Sequence, residues 1–145
     1  MNKIYLRAIT SDDLKYTWKW HSDQELYRTL GGPFRYVSED AEREWLQNKA
    51  KFSNQEINLL ICLIENTQPI GIISVRDIDW IRRQGQLTGI LLGELEYRNR
   101  GYGSEAIRIL LKHFFLDLGM HRLWAYVLSE NEPSLKLFGK AGFLT

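Results

Sequence analysis

The residues best suited to chemistry lie in one short run, Glu96-Tyr97-Arg98-Asn99-Arg100-Gly101-Tyr102-Gly103-Ser104-Glu105-Ala106. Gly101 and Gly103 let the backbone turn tightly and leave no side chain in the way of a closely approaching ligand. A strongly amphipathic stretch follows, so a helix should begin here. Its unpaired N–H groups and the positive end of its dipole would then point at the turn. Arg98 and Arg100 add positive charge on flexible stems. Together these parts suit the cradling of a diphosphate.

Two better-known phosphate loops are excluded. The dinucleotide fingerprint needs a third glycine where Ala106 stands, and no acidic ribose partner follows a second strand in the right place. A Walker loop needs Gly-Lys-Ser/Thr, which is absent. On its own, a Gly-x-Gly before a helix is as often a tight connection as a phosphate site. Other reactive residue types carry less. Cys62 sits in a run that is apolar on both faces and reads as core. His21, His113 and His121 lack metal-ligand spacing, so no metal is expected.

Arg98-x-x-Gly101-x-Gly103 is similar to the Gln/Arg-x-x-Gly-x-Gly/Ala signature of the GNAT superfamily of N-acetyltransferases. Further on, Asn131-Glu132-Pro133-Ser134 through Lys140-Ala141-Gly142-Phe143 resembles that family's second motif, Asn-x-x-Ser/Ala through Lys-x-Gly-Phe. Ile70-Gly71 and Ile78-Asp79 resemble the branch that includes ribosomal-protein-alanine and spermidine acetyltransferases. The resemblance runs from Leu6 to Phe143.

This resemblance implies a single GNAT domain over residues 1–145 that moves an acetyl group from acetyl-CoA, as co-substrate, to a primary amine through a tetrahedral intermediate. Main-chain groups of Leu91, Leu92 and Gly93 would hold the pantetheine arm like an added strand. One of their N–H groups would polarise the thioester carbonyl, a contribution of a few kcal/mol. Arg98, Asn99, Arg100, Gly101, Tyr102, Gly103 and Ser104 would bind the pyrophosphate. Asn131 would bond the pantetheine or acceptor region, cap a helix, or do both.

In many relatives a Tyr in the last helix protonates the leaving thiolate, but Phe138 stands there in this chain. Ser134, one turn earlier, is the nearest hydroxyl. Relatives often place a Glu base on the strand before the cradle, where Thr88 stands here; Glu94, Asp77 and Asp79 are the nearby substitutes. Phe138 and Thr88 also support an alternative, a CoA-binding regulatory domain without turnover.

The acceptor would be a protein N-terminus or a small amine. An α-amine, near pKa 8, needs a weaker base than an alkyl amine near 10, so the missing glutamate leans toward the former. A polyamine would want acids, which Glu39, Asp40, Glu42 and Glu44 could supply unless they form a solvated helix face. Trp18, Trp20, Tyr27, Phe34, Tyr36 and Trp80 fall in segments that form the acceptor wall in this family. For Trp18 and Trp45 a core position is favoured.

The elements that must position these residues are legible from periodicity. Lys3–Ala8 reads as a strand, and Thr10 or Ser11 can cap a helix running to about His21. After Gly31-Gly32-Pro33, Ser38 can cap a second helix, Glu39 to Lys51. Ile57–Ile64, apolar on both faces, suits a central strand, followed by strands Ile70–Arg76 and Gln86–Leu92. Ala106, Leu110, Phe114 and Leu118 recur along one face of a helix that Gly119 ends. Arg122–Leu128 and Glu132–Ala141 complete the series as strand and helix. The fold class is α/β, a mixed, mostly antiparallel twisted sheet flanked by helices.

The chain has 145 residues, 44% hydrophobic and 26% charged, with 19 basic against 18 acidic side chains for a net charge of +1. That balance gives no global field for nucleic acid or an anionic membrane. No apolar run approaches the roughly 20 residues that span a bilayer, and the start lacks a signal-peptide core. A lone cysteine allows no internal disulfide. The expected compartment is the cytoplasm, with no nucleic-acid or membrane partner. Relatives continue past Gly-Phe with two more strands, one of which pairs beside Arg122–Leu128. The expectation is therefore a chain truncated at its C-terminus, or a homo-oligomer that covers the open sheet edge.

Overall fold

The computed structural model describes residues 2–30, 33–127 and 129–144. Five strands form one sheet in sequence order: β1 (Ile4–Ala8), β2 (Ile57–Leu63), β3 (Pro69–Asp79), β4 (Gln84–Leu92) and β5 (Arg122–Trp124). The β1–β2, β2–β3 and β3–β4 pairs are antiparallel, and β4–β5 is parallel. Helices α1 (Leu14–His21), α2 (Gln24–Leu30) and α3 (Glu39–Ala50) fill the first connection. Helix α4 (Tyr102–Lys112) makes the crossover from β4 to β5, and α5 (Glu132–Lys140) follows β5.

The double-sided apolar pattern of β2 has a direct physical result. Ile61 and Leu63 face a core built with Ala106, Ile107, Leu110 and Phe114 of the α4 side and Phe138 of α5. Leu60 and Cys62 face the other way, against Trp20 of α1, Leu26 of α2 and Leu46 of α3. Burial pushes the Cys62 thiol up, as suits a core residue rather than a nucleophile.

Several boundaries differ from the periodicity reading. Helix α2 was not expected, because seven residues anchored by the buried Leu26 give little pattern. Its start is fixed locally by Asp23, whose carboxylate accepts the Leu26 N–H at 3.2 Å. The end of the α4 segment is a π-turn over His113–Asp117, in which the Leu118 N–H donates to the His113 carbonyl at 3.0 Å. Gly119, at φ 69°, then turns the chain away. Strand β5 is shorter than the expected Arg122–Leu128, because its pairing with β4 stops at Gln86↔Trp124; Leu128 lies outside the described residues.

The β3–β4 ladder carries an extra residue. Ser74 pairs with Gly89 and Val75 with Leu87, which leaves Thr88 as a bulge. The Thr88 hydroxyl donates to the Ser74 carbonyl at 3.2 Å. Beyond this bulge β4 has β3 on one side and, among the described residues, no paired strand on the other.

The start of α1 is tied to the sheet by a buried carboxylate. The Asp13 side chain is 4% exposed and accepts from Arg7 Nη2 at 2.8 Å and Nη1 at 3.0 Å. It also accepts the Thr10 N–H at 2.8 Å, half of a capping box. Burial alone would raise the Asp13 carboxyl, but the bonds from Arg7 and Thr10 prevail and hold it below the ordinary range. A carboxylate depressed in the folded state stabilises fully above its unfolded pKa, near 4, and loses that contribution as pH falls through the folded value. Asp13→Asn should therefore cost about 2 kcal/mol at neutral pH. Denaturant titrations at stepped pH should show the gap from wild type narrowing below pH ~4.

Candidate functional site

Strand β4 ends in a corner that several side chains hold rigid. The Gly93 N–H donates to the Ile70 carbonyl at 2.8 Å, which extends the β3–β4 ladder by one step. By antiparallel alternation, Leu91 also turns its backbone groups to β3, while Ile90 and Leu92 turn theirs to the unpaired side. The Leu92 carbonyl there accepts from Arg98 Nε at 3.3 Å and Nη2 at 3.2 Å. Burial pushes the Arg98 guanidinium down, with the charge of Asp23 opposing it. Gly93 is packed against the Trp20 indole so closely that an added Cβ would overlap the ring.

The turn into α4 takes the shape that its residue types allow. Asn99 has φ 61° and Gly101 φ 85°, both left-handed, a conformation that Asn tolerates and Gly adopts freely. Gly101 is the N-cap and offers no side chain to the first turn, so the N–H groups there keep no capping partner from it. A Cβ on Gly103 would make only ordinary contacts, 3.7 Å from Ile90 and Leu137. Internal packing therefore does not demand glycine at 103. Bare N–H groups, a helix dipole and nearby guanidinium groups can together hold an anion the size of a diphosphate.

On the unpaired side of β4 lies a cavity of about 390 Å³. Its β4 wall is Leu87 to Leu91, its far wall includes Asn131, Ser134 and Phe138, and His21, Tyr27 and Trp45 close it. Asn131 caps α5 through its Oδ1, which accepts the Ser134 N–H at 3.2 Å, so both residues are held at the cavity edge. Phe138 is buried, with its ring 5.2 Å from that of Phe143. Behind His21 lies Glu42, whose carboxylate is buried and lies 2.8 Å from the imidazole Nδ1.

The structure thus brings Leu91, Asn131 and Ser134 to one cavity and gathers Arg98 through Ser104 at the adjoining helix start. Glu94 is turned elsewhere: Oε1 accepts from Lys19 Nζ at 3.0 Å and from Trp20 Nε1 at 3.2 Å, and it does not line the cavity. Asp79 caps its own turn, accepting the N–H groups of Ile81 and Arg82 at 3.0 and 2.9 Å.

Of the aromatics expected in the acceptor wall, Tyr27 lines the cavity. Trp20 is core, Trp18 bonds the Val37 carbonyl, and Trp80 bonds the Asn54 carbonyl. Trp45, expected in the core, packs partly buried against the core cluster of Trp20, Leu26 and Leu46 and also lines the cavity, its ring meeting that of His21 edge-on at 4.8 Å. Ile90 and His21 were missed. Ile90 could have been found only from the ladder register, and the His21–Glu42 pair joins two helices across 21 positions of sequence.

Residues 3–144 match the family described as the acetyltransferase (GNAT) domain. The SPbeta prophage-derived uncharacterized N-acetyltransferase YokL of Bacillus subtilis (strain 168) is 29% identical over 142 residues, covering 97% of this chain and 76% of its own. The alpha/beta-tubulin-N-acetyltransferase 9 of Mus musculus is 33% identical over 150 residues, and the chain spans 61% of that protein's length. Among solved structures, the spermidine N-acetyltransferase from Vibrio cholerae in complex with CoA and spermine superposes with a TM-score of 0.85 at 22% identity. The match covers 98% of this chain and 81% of that one, a likeness of fold.

The corner at Gly93 makes a structural prediction. Gly93→Ala must displace Trp20 or the end of β4, so it should lower stability by about 1–3 kcal/mol in a urea titration.

Proposed function

The chain belongs to the acetyltransferase (GNAT) family and is an acetyl-CoA-dependent N-acetyltransferase, and we propose that its acceptor is a primary amine of low basicity, foremost the α-amine of a peptide. One observation carries this reading: among the described residues, no carboxylate lines the cavity beside β4. A polyamine brings several charges that need counter-charges once they leave water. Three of the four acids of α3 are engaged elsewhere, and Glu44 does not line the cavity. Glu39 and Asp40 pair with Arg43, and Glu42 points inward to His21. A neutral α-amine needs no such counter-charge, and the apolar and aromatic wall of Tyr27, Trp45 and Ile72 suits a peptide end. The name of the mouse relative supports a protein acceptor.

In this reading the pyrophosphate of acetyl-CoA sits at the start of α4, and the pantetheine arm runs along the unpaired side of β4. The N–H of Leu92 or Ile90, rather than that of Gly93, faces the thioester oxygen, since Gly93 already donates to Ile70. A backbone donor fixed before the reaction stabilises the developing oxyanion without reorganising. Phe138 cannot give a proton to the leaving thiolate, so Ser134 or a water beside it does. Arg98 holds the Leu92 carbonyl and so shapes the exit of the arm as well as adding charge.

Two measurements test this reading. Acetyl-CoA at 100 times its Kd should stabilise the wild type by about 2.7 kcal/mol, a melting rise of several degrees. Gly103→Val should abolish that rise, while Gly103→Ala, whose Cβ has room, should melt close to wild type without ligand. In a thiol-release assay, peptides with free N-termini should exceed spermidine at least tenfold in kcat/KM. Preference for spermidine would reassign the acceptor, and no release with any amine would favour a CoA-binding regulatory domain.

A further inference from the structure

Resting on the acetyl-transfer reading, we propose that His21 takes the proton from the attacking amine and that Glu42 is the buried carboxylate that positions it. The argument begins with what the cavity lacks. Thr88 stands on the strand before the cradle, and its hydroxyl is spent on the Ser74 carbonyl. Glu94 is held by Lys19 and Trp20 outside the cavity. Among the described lining residues there is no Asp, Glu, Lys or Arg, and the titratable side chains are His21, Tyr27 and Tyr126. Burial first, and then the charge of Glu42, push the Tyr27 hydroxyl up, so it stays protonated at neutral pH. Tyr126 is 83% exposed at the rim. An imidazole is the one group of this lining able to accept a proton near neutral pH.

The geometry prepares His21 for that task. Its Nδ1 lies 2.8 and 3.0 Å from the two oxygens of Glu42, whose side chain is 2% exposed. A carboxylate in its ionised form only accepts, so this contact selects the tautomer with its hydrogen on Nδ1, in which a neutral ring keeps the lone pair on Nε2. Trp45 meets the ring edge-on at 4.8 Å and fixes its plane. Among the described residues, Glu42 of α3 pairs with His21, Tyr27 of α2 shares the cavity and feels the charge of Glu42, and Lys19, on α1 itself, is paired to Glu94. Facing it across the cavity are Thr88 to Leu91 of β4, which carry no charge, and Ser134 of α5.

The step balances. The amine nitrogen bonds to the thioester carbonyl carbon, the C=O pair moves to oxygen, and one N–H proton passes to His21 Nε2. Collapse restores the carbonyl and breaks the C–S bond, and the departing thiolate takes a proton from water, directly or through Ser134, which regains its own proton from that water. His21 then returns its proton to solvent.

The test uses the whole chain, acetyl-CoA and a peptide amine on which wild-type turnover is first established. His21→Asn keeps an amide N–H where Nδ1–H meets Glu42 but has no base. It should lower kcat/KM about 100-fold, with the acetyl-CoA melting shift intact and the acidic limb of the pH–rate profile gone. His21→Gly with added imidazole is the second variant, and recovery of rate with imidazole concentration is a response that a structural role would not give. Glu42→Gln should lower kcat more than it raises KM. Wild-type turnover with His21→Asn within threefold and an unchanged pH profile would overturn the inference and leave the acetyl-transfer reading standing. Failure of the wild type to release thiol with any amine would overturn both.

Discussion

Among the described residues, strand β4 is paired on both edges only through Gln84–Gln86; from Thr88 onward it keeps β3 and has no paired neighbour on the other side. Everything the site does depends on that parting. An unpaired strand edge presents N–H and C=O groups that seek partners, and burying them unpaired is costly. Here the edge borders a cavity instead of a strand. A ligand with amide groups of its own can complete such a ladder. The bulge at Thr88 shifts the register by one and so decides that the backbone groups of Ile90 and Leu92, not those of Leu91, turn to the unpaired side.

Such an edge has to be held open. Arg98 bonds the Leu92 carbonyl, Gly93 continues the ladder to Ile70, and Trp20 presses on the Gly93 backbone while its Nε1–H reaches Glu94. At the other end of the turn, Glu105 accepts the main-chain N–H of Lys3 at 2.7 Å and so anchors the start of α4 to β1. The N-terminal turn of α4 is thereby fixed to the far edge of the sheet. Fixed dipoles act on a ligand without first paying for reorganisation, so rigidity here is part of binding.

The shape of the turn into α4 was legible because its backbone demands are local. Left-handed backbone at Asn99 and Gly101 selects the two residue types that accept it, and an uncapped helix start follows within the same turn. Ser38 could likewise be read as a cap, and its Oγ accepts the Ala41 N–H at 3.0 Å. What escaped the sequence depends on contacts between distant segments. A Thr88 bulge exists only relative to β3, and a glycine at 93 is explained by an indole 73 positions earlier in the chain, at Trp20. Glu94 had the right type and a nearby position in sequence. Its side chain nevertheless follows Lys19 and Trp20, because a carboxylate settles where donors satisfy it.

The same reasoning explains why acid–base groups in this chain sit on helices rather than on β4. Along the unpaired part of β4, side chains alternate between the sheet faces, and Thr88, Ile90 and Leu92 carry no ionisable group. The three helices that fill the first connection cover the sheet face behind the cavity, and α1 ends at His21 where α3 passes with Glu42. Burying Glu42 without a partner would cost several kcal/mol, so the imidazole and the carboxylate stabilise each other's position. A pair built in this way joins α1 to α3 whatever the chemistry demands. Its catalytic use then requires only that the ring's other nitrogen reach the cavity, and His21 is among the residues that line it.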